Sequence, residues 1–250
     1  MTAPTAAELL QQGLFHHRQG DIPLAMERYM EVLRADPENT EALYYVAVVA
    51  CQGGQFKEGA DLARRAISLG LNTAKVHNLL GKALERLGQP LEAVKSFERA
   101  IATDPGFAEA HGNRANILLD AGMPAEALNG FDRTLALNPN SADDWHNRGA
   151  ALAQLGRAEE AIASFDRALA ADPRFAEAHL GRAQALGRFG RADDALADID
   201  RALAINPDLA PAHRARAALL AAMGRAEEAK ANLERAEALE ARAKKPPEQA

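Results

Sequence analysis

Glycine recurs every 34 residues along this chain, and this one feature limits the possible folds more than any other. The seven members of the column are Gly20, Gly54, Gly88, Gly122, Gly156, Gly190 and Gly224. A second column with the same period holds Pro37, Pro105, Pro139, Pro173 and Pro207, with Leu71 and Ala241 at its remaining positions. Two columns with one period establish an internal repeat. A repeat of 20 to 50 residues is typical of a solenoid, which grows by stacking units rather than by enlarging one core.

Each unit contains two stretches of helical periodicity separated by the glycine. In the fifth unit these stretches run from about Ala142 to Leu155 and from about Arg157 to Ala170. The glycine permits a tight reversal between helices, and the proline stops the second helix. Small residues recur once in each helix of the unit, where two helices must approach closely. The sequence therefore predicts an all-α fold of seven helix-turn-helix repeats, with about fourteen helices.

The columns also predict where the units begin and end. The repeats span residues 6–39, 40–73, 74–107, 108–141, 142–175, 176–209 and 210–243. Residues 1–5 form an N-terminal extension. Residues 244–250 are predicted to be a disordered tail, because Pro246 and Pro247 cannot continue a helix.

The 34-residue unit resembles the tetratricopeptide repeat. The fifth unit carries the family's pattern in Trp145, Gly149, Leu152, Ala161, Phe165, Ala168 and Pro173. The resemblance implies a right-handed superhelical solenoid whose first helices line a concave groove. It also implies that the chain binds another protein or an extended peptide in that groove.

A second pattern links each unit to the next. The later first helices carry arginine at a position in the packed seam, and a buried arginine needs a partner. The second helix of the preceding unit offers an acid sixteen residues earlier each time. The predicted structural ion pairs are Glu98 with Arg114, Asp132 with Arg148, Asp166 with Arg182 and Asp200 with Arg216. Where the acid is absent, as at Met30 and Arg64, the arginine is absent too.

The sequence argues against several classes of function. A net charge of -6 with both signs interspersed argues against nucleic acid. A single cysteine, the lack of a signal peptide and the lack of a long apolar run favour a cytoplasmic protein without membrane insertion. No phosphate loop, zinc motif or nucleophile elbow is present, so we expect no enzyme activity and no cofactor. His77, His111, His179 and His213 recur in repeat steps, too far apart to share a metal, and are interpreted as packing residues.

The resemblance places the candidate peptide-binding residues on the first helices. The apolar part of this predicted groove contains Leu10, Leu14, Tyr44 and Val48. The polar part contains Lys75, Asn78, Lys82, Arg86, Asn113, Asn116, His146 and Asn147. Asparagine amides can both donate to and accept from a peptide backbone, and lysines favour an acidic group. Each cluster has a second interpretation: the apolar part as packing at the N-terminal cap, the polar part as a solvated face.

Three functional hypotheses follow. The first is a non-catalytic scaffold or adaptor that binds a peptide or partner protein. The second is a substrate-recognition arm that works with a separate glycosyltransferase, because units such as His146–Gly149 resemble repeats found ahead of bacterial glycosyltransferase domains. The third is a self-assembling structural protein. The polar residues Lys230 and Glu237 on the last helix count against end-to-end stacking and favour a monomer, and the oligomeric state stays open. The composition, rich in alanine and arginine, is typical of a bacterial protein.

Overall fold

The computed structural model describes residues 4–244, and this part of the chain is built from fourteen α-helices without a β-strand. The helices are α1 (Ala6–Arg18), α2 (Ile22–Ala35), α3 (Thr40–Gln52), α4 (Phe56–Ser68), α5 (Ala74–Arg86), α6 (Pro90–Thr103), α7 (Ala108–Asp120), α8 (Pro124–Leu137), α9 (Ala142–Gln154), α10 (Ala158–Ala171), α11 (Ala176–Arg188), α12 (Ala192–Ile205), α13 (Ala210–Ala222) and α14 (Ala226–Lys244). The predicted all-α helix-turn-helix repeat solenoid is confirmed. None of these helices combines the length and the apolar composition that crossing a bilayer requires.

The turn between the two helices of each repeat depends on the glycine column. All seven glycines have φ between 71° and 80°. This left-handed conformation is open to glycine at no steric cost, whereas a residue with a Cβ would be strained. The backbone N–H of the residue after the glycine then bonds back to a carbonyl of the first helix, as Arg157 does to Leu152 at 2.9 Å. The second helix starts immediately, so Arg157, which the sequence placed in α10, is its N-cap.

The second helices end at the residue before the proline column. Asp36, Asp104, Asn138, Asp172 and Asn206 are their C-caps. In the third repeat, the Asp104 carboxylate also accepts a hydrogen bond from the backbone N–H of Gly106 at 2.9 Å, which stabilises the connecting turn. The second repeat has no proline, and α4 ends at Ser68 with Leu69 as its C-cap, followed by Gly70 with φ of 103°.

The chain divides into two compact units, residues 1–117 and 118–250, and the division falls inside α7. In the first unit, each first helix packs on the second helix of its repeat in the pairs α1–α2, α3–α4 and α5–α6. Tyr29 and Phe97 are fully buried between the helices of their repeats. Gly13 and Gly81 face these rings, and a Cβ at Gly81 would lie 2.5 Å from the Phe97 ring, so the small-residue column is required by close packing.

The second unit repeats this arrangement in the pairs α9–α10, α11–α12 and α13–α14. Its core contains Phe131 and Phe165, which are at most 1% exposed, and Ile199 at 2%. Lys230 and Glu237 on α14 are exposed. The remaining repeat boundaries stay predictions.

The predicted tail needs one correction. Lys244, which the sequence assigned to a disordered tail, is the last residue of α14, because the alanine, glutamate and arginine residues before it are strong helix formers. The rest of that tail, residues 245–250, and residues 1–3 of the predicted N-terminal extension lie outside the described residues.

Candidate functional site

The apolar part of the predicted groove divides into buried and accessible positions. Leu10 is only 8% exposed and packs in the core of the first unit, so it offers almost no surface to a ligand. Leu14, Tyr44 and Val48 are half-buried. The Tyr44 ring meets the Tyr45 ring edge-on with centroids 5.1 Å apart, and burial raises the pKa of Tyr44.

Tyr44 also lines a cavity of about 450 Å³ beside the start of α5. The predicted site residue Lys75 lines the same cavity from the first turn of α5 and is exposed. Apolar contacts are available from Leu71 and Phe107, and Glu41 adds a carboxylate. The structure thus brings together two predicted residues, one from the apolar part and one from the polar part.

Three of the polar residues predicted in the third and fourth repeats are bound to the protein itself. The amide of Asn113 donates to the side-chain oxygen of Asn78 at 3.0 Å, and Asn78 is only 4% exposed. The ammonium of Lys82 is 2.9 Å from the Glu109 carboxylate. These contacts reduce the capacity of Asn78, Asn113 and Lys82 to bind a peptide, compared with the free amides and free cation that the sequence suggested.

The remaining predicted residues occupy different environments. Arg86 is exposed, and its guanidinium carbon lies 4.6 Å from the centroid of the Phe56 ring. Asn116 and Asn147 are half-buried. Whether any of these residues binds a ligand stays a prediction.

In the second unit, His146 forms part of an apolar wall. Its ring centroid lies 4.9 Å from that of Phe175 and 5.5 Å from that of Phe165. Burial lowers the pKa of His146 against the opposing effect of Glu177 and Asp143. The ring is therefore favoured in its neutral form, and it contributes shape and apolar surface rather than charge.

His146 borders an open crevice between two first helices, which we call the α9–α11 crevice. It has a volume of about 360 Å³ and is formed by Ala150, Ala153 and Gln154 of α9 and by Leu180, Gly181 and Gln184 of α11, with Phe165 as its floor. A Cβ at Gly181 would lie 2.6 Å from the Phe165 ring, so only glycine lets α11 pass this close. Glu177 and Arg188 also line the crevice.

A second crevice lies on the other side of α11, between α11 and α13. This α11–α13 crevice has a volume of about 480 Å³ and is formed by Gln184, Gly187 and Arg188 of α11 and by Ala215, Ala218, Leu219 and Ala222 of α13, with Ala195 and Ile199 as its floor. The sequence analysis did not select Gln154, Gln184 or Arg188 as site residues. A signal was present, because Gln154 follows Asn147 by seven residues and so lies on the same helix face.

The four ion pairs suggested by the sequence are all in contact, and each lies within one unit. The Arg114–Glu98 distance is 3.1 Å, Arg148–Asp132 is 2.7 Å and Arg216–Asp200 is 2.8 Å, and Arg182 contacts Asp166. The arginines are 18–31% exposed and the acids 50–53% exposed. Because each guanidinium is occupied between two repeats, we interpret these pairs as structural.

Arg182 has an additional partner that was not predicted from the sequence, because the predicted pairs join each arginine only to an acid sixteen residues before it. Its Nε lies 2.6 Å from Asp198, which belongs to the same repeat and is only 2% exposed. Arg201 contacts the same carboxylate at 2.8 Å, and His179 Nδ1 lies 3.5 Å from it. Burial acts to raise the pKa of Asp198, but the hydrogen bonds from Arg182 and Arg201 outweigh it and lower the pKa.

The recurring histidines have a role in the repeat. The side-chain Nε2 atoms of His111, His179 and His213 lie 3.0–3.3 Å from the carbonyl of the proline six residues earlier, and Trp145 makes the same bond from Nε1 at 2.8 Å. The side chain thus ties the first helix to the preceding turn. Among residues 4–244, no group of three or more His, Cys, Asp or Glu side chains is arranged to hold a metal ion.

Comparisons with solved structures agree with this fold. YrrB, described as a TPR protein with an unusual peptide-binding site, is 25% identical with a TM-score of 0.60, and the alignment covers 70% of this chain and 90% of YrrB. PilF from Pseudomonas aeruginosa is 21% identical with a TM-score of 0.71, covering 81% of this chain and 92% of PilF. A tetratricopeptide repeat protein from Parabacteroides merdae is 20% identical with a TM-score of 0.68, covering 94% and 93%. No curated protein matches the sequence.

Family models add the decisive evidence on ancestry. One model described as tetratricopeptide repeat matches residues 10–71 and 78–142, which is more than half of the chain. A second model with the same description matches residues 115–186. The repeat columns, the paired helices and these matches agree, and the chain belongs to the tetratricopeptide repeat family.

Proposed function

We propose that this chain is a non-catalytic protein-binding module, and that the face formed by its first helices holds an extended peptide or a segment of a partner protein. Tetratricopeptide repeats are in general protein–protein interaction modules. The observation that carries the more specific proposal is the pair of open crevices in the second unit, because they lie between consecutive first helices and have small residues at their walls.

The chemistry of the α9–α11 crevice suits a peptide. Ala150 and Gly181 leave room for a ligand side chain, and Phe165 and the neutral ring of His146 offer apolar contact. Gln184, which is exposed at the rim, can donate to and accept from a peptide backbone. Apolar walls with a few convergent polar groups are typical of binding sites. The likeness to YrrB, whose description names a peptide-binding site, also supports the proposal.

In the first unit, the cavity lined by Tyr44 and Lys75 is the part of the predicted groove that is accessible to a ligand. Internal contacts occupy the side chains of Asn78, Asn113 and Lys82. These three residues therefore support peptide binding less strongly than the sequence alone suggested. We also propose that the chain acts in the cytoplasm as a monomer and binds neither nucleic acid nor a membrane. The net charge of -6 supports the part on nucleic acid, and the single cysteine supports the part on the cytoplasm.

Photo-crosslinking tests this proposal directly. Benzoylphenylalanine is introduced at Gln184 in the crevice or, as a matched control, at Ala163 on the exposed face of α10. Each variant is irradiated in the native cells, and crosslinked proteins are identified by mass spectrometry. We expect a discrete partner at Gln184 that is absent at Ala163. Equal crosslinking at both positions, or crosslinking at Ala163 alone, would refute binding at the first-helix face.

A further inference from the structure

Arg188 is positioned unlike most arginines of the second unit. It lies at the end of α11 and lines the α9–α11 crevice, the α11–α13 crevice and a third cavity of about 430 Å³ beside the turn between α9 and α10. Its guanidinium donates one hydrogen bond, to the Ala153 carbonyl at 3.1 Å, and it has no carboxylate partner among residues 4–244. Nearby arginines differ, because Arg157 is 2.7 Å from Glu160 and Arg191 is 2.7 Å from Asp194.

The two crevices that meet at Arg188 are lined mainly by small and apolar side chains. Glu159 and Glu160 line the third cavity, where Glu160 pairs with Arg157, and neither glutamate forms an ion pair with Arg188. Gly187, Ala218 and Ala222 give it short neighbours on the α13 side. The acid that lines the α9–α11 crevice, Glu177, is eleven residues away on the same helix, or about 16 Å at the rise of an α-helix. A cation in such a place keeps donors available for a ligand, since a guanidinium has five N–H groups and only one is used.

We propose that Arg188 anchors an acidic side chain of an extended peptide, and that apolar side chains on both sides of that acid fill the two crevices. The planar guanidinium can hold a carboxylate with two parallel hydrogen bonds, which are strong where water is partly excluded. This inference rests on the proposed function and names the chemistry of its ligand.

The position of Arg188 favours an acid inside the peptide over a C-terminal carboxylate. A peptide ending at Arg188 would occupy the crevice on one side of α11, whereas the structure has an apolar crevice on each side. Packed helices are about 8–10 Å apart, and an extended chain advances about 3.3 Å per residue. The two apolar side chains should therefore be about three residues apart, with the acid between them.

Gly187 supplies a variant that blocks one crevice while preserving the fold. A Cβ at this helical glycine would meet no heavy atom within 4 Å, so Gly187→Leu places its side chain in the open α11–α13 crevice. Gly181 is unsuitable for this purpose, because a Cβ there would clash with Phe165. Arg174 gives a matched charge control, since it is exposed and lines none of the three cavities around Arg188.

The test is selection of a displayed library of random octapeptides on the full-length chain and on Arg188→Gln, Arg188→Glu, Gly187→Leu and Arg174→Gln. Circular dichroism first establishes that each variant is folded. We expect wild type and Arg174→Gln to enrich peptides with an aspartate or glutamate between two apolar residues. Arg188→Gln should bind a synthetic copy of such a peptide roughly ten- to a hundredfold more weakly, as expected for a hydrogen-bonded charge. Arg188→Glu should enrich lysine or arginine instead, and Gly187→Leu should lose the preference for one of the two apolar residues.

The outcomes separate this inference from the proposed function. Enriched peptides without an acidic position, or equal binding by wild type and Arg188→Gln, would overturn the role of Arg188 and leave the binding face intact. Selection of no peptide by wild type would also overturn it, and the crosslink at Gln184 then decides independently whether the face binds a protein.

Discussion

The buried carboxylate of Asp198 should contribute far more to stability than the exposed acids of the same repeats. Asp198 accepts two hydrogen bonds from Arg182, at 2.6 and 2.8 Å, and one from Arg201 at 2.8 Å. It is 2% exposed, and Arg182 is 18% exposed. Asp200, two residues later, pairs with Arg216 at 2.8 Å but is 52% exposed. The two acids therefore form a matched comparison within one helix.

The structure fixes the expected magnitudes. Asp198→Leu removes the carboxylate that holds a largely buried guanidinium, and breaking one side of a buried pair typically costs about 3–5 kcal/mol. Arg182 keeps its contact with Asp166, which places the expected loss near the lower end of that range. Asp200→Leu breaks an exposed pair and should cost about 0.2–1 kcal/mol. Adding Arg182→Met to Asp198→Leu should recover part of the loss, because it removes a largely buried guanidinium that has kept only the exposed Asp166 as a partner.

Urea denaturation followed by tryptophan fluorescence measures these differences. Trp145 is the only tryptophan and lies in the same unit as Asp198, so its emission reports unfolding of that unit. Circular dichroism gives a second probe, which is needed because repeat arrays can unfold in more than one step. Equal losses for Asp198→Leu and Asp200→Leu would refute the argument from burial. Additive losses in the double variant would refute the argument that the cost comes from a buried guanidinium without its buried partner.

The same cluster predicts the sign of a pH dependence. The pKa of Asp198 is lowered in the folded protein, although burial alone would raise it, because Arg182 and Arg201 bind the ionised form. The stabilisation is therefore fully present above the unfolded aspartate pKa of about 3.9, and it is lost as the pH falls through the lower folded value. Wild type should lose stability relative to Asp198→Leu over that acidic range. A constant difference between the two proteins would contradict the assignment.

Two further results are expected from urea midpoints. Gly149→Ala should destabilise the second unit by about 1–3 kcal/mol, because a Cβ there would lie 2.8 Å from the Phe165 ring. Gly187→Ala should instead stabilise the unit by about 0.8–1 kcal/mol through helix propensity, because a Cβ there meets no atom within 4 Å. A change of the same sign for both variants would show that the space beside each glycine does not decide the effect. A double-mutant cycle of Arg148→Leu and Asp132→Leu should give a coupling free energy of unfolding of about 0.2–1 kcal/mol, because the acid is half-exposed. Additive effects of the two single variants would show that the pair is not coupled.

The fold could be predicted from the sequence because its determinants are periodic. The glycine that requires positive φ and the small residues that face Phe97 and Phe165 each recur in repeat steps, so a local requirement is visible several times over. The contacts of Arg114, Arg148 and Arg216 followed the same logic, since acid and arginine keep a fixed spacing.

The candidate site could be predicted only in part, because its contacts are not periodic. Lys82 meets Glu109, which lies 27 residues later, and the equivalent positions Val48, Asn116 and Ala150 hold no lysine, so no repeated spacing marked this pair. The residue equivalent to Asp198 in the preceding repeat is Ser164, so the repeat pattern gave no indication of a buried acid at this position. The crevices beside Arg188 exist because small residues of α9, α11 and α13 lie next to each other in space. These residues are far apart in the sequence, so they form no motif that could have been recognised.

The direction of the ion pairs between repeats has a consequence for synthesis on the ribosome. In all four pairs the half-exposed acid comes first in the chain, and the more buried arginine follows sixteen residues later. When each arginine emerges, the helix that carries its acid is already made, since the N-terminal part of a chain appears first. Each arginine can therefore pair with its acid as soon as its own helix packs on the preceding repeat. In the reverse order, each arginine would be synthesised before the helix that carries its acid.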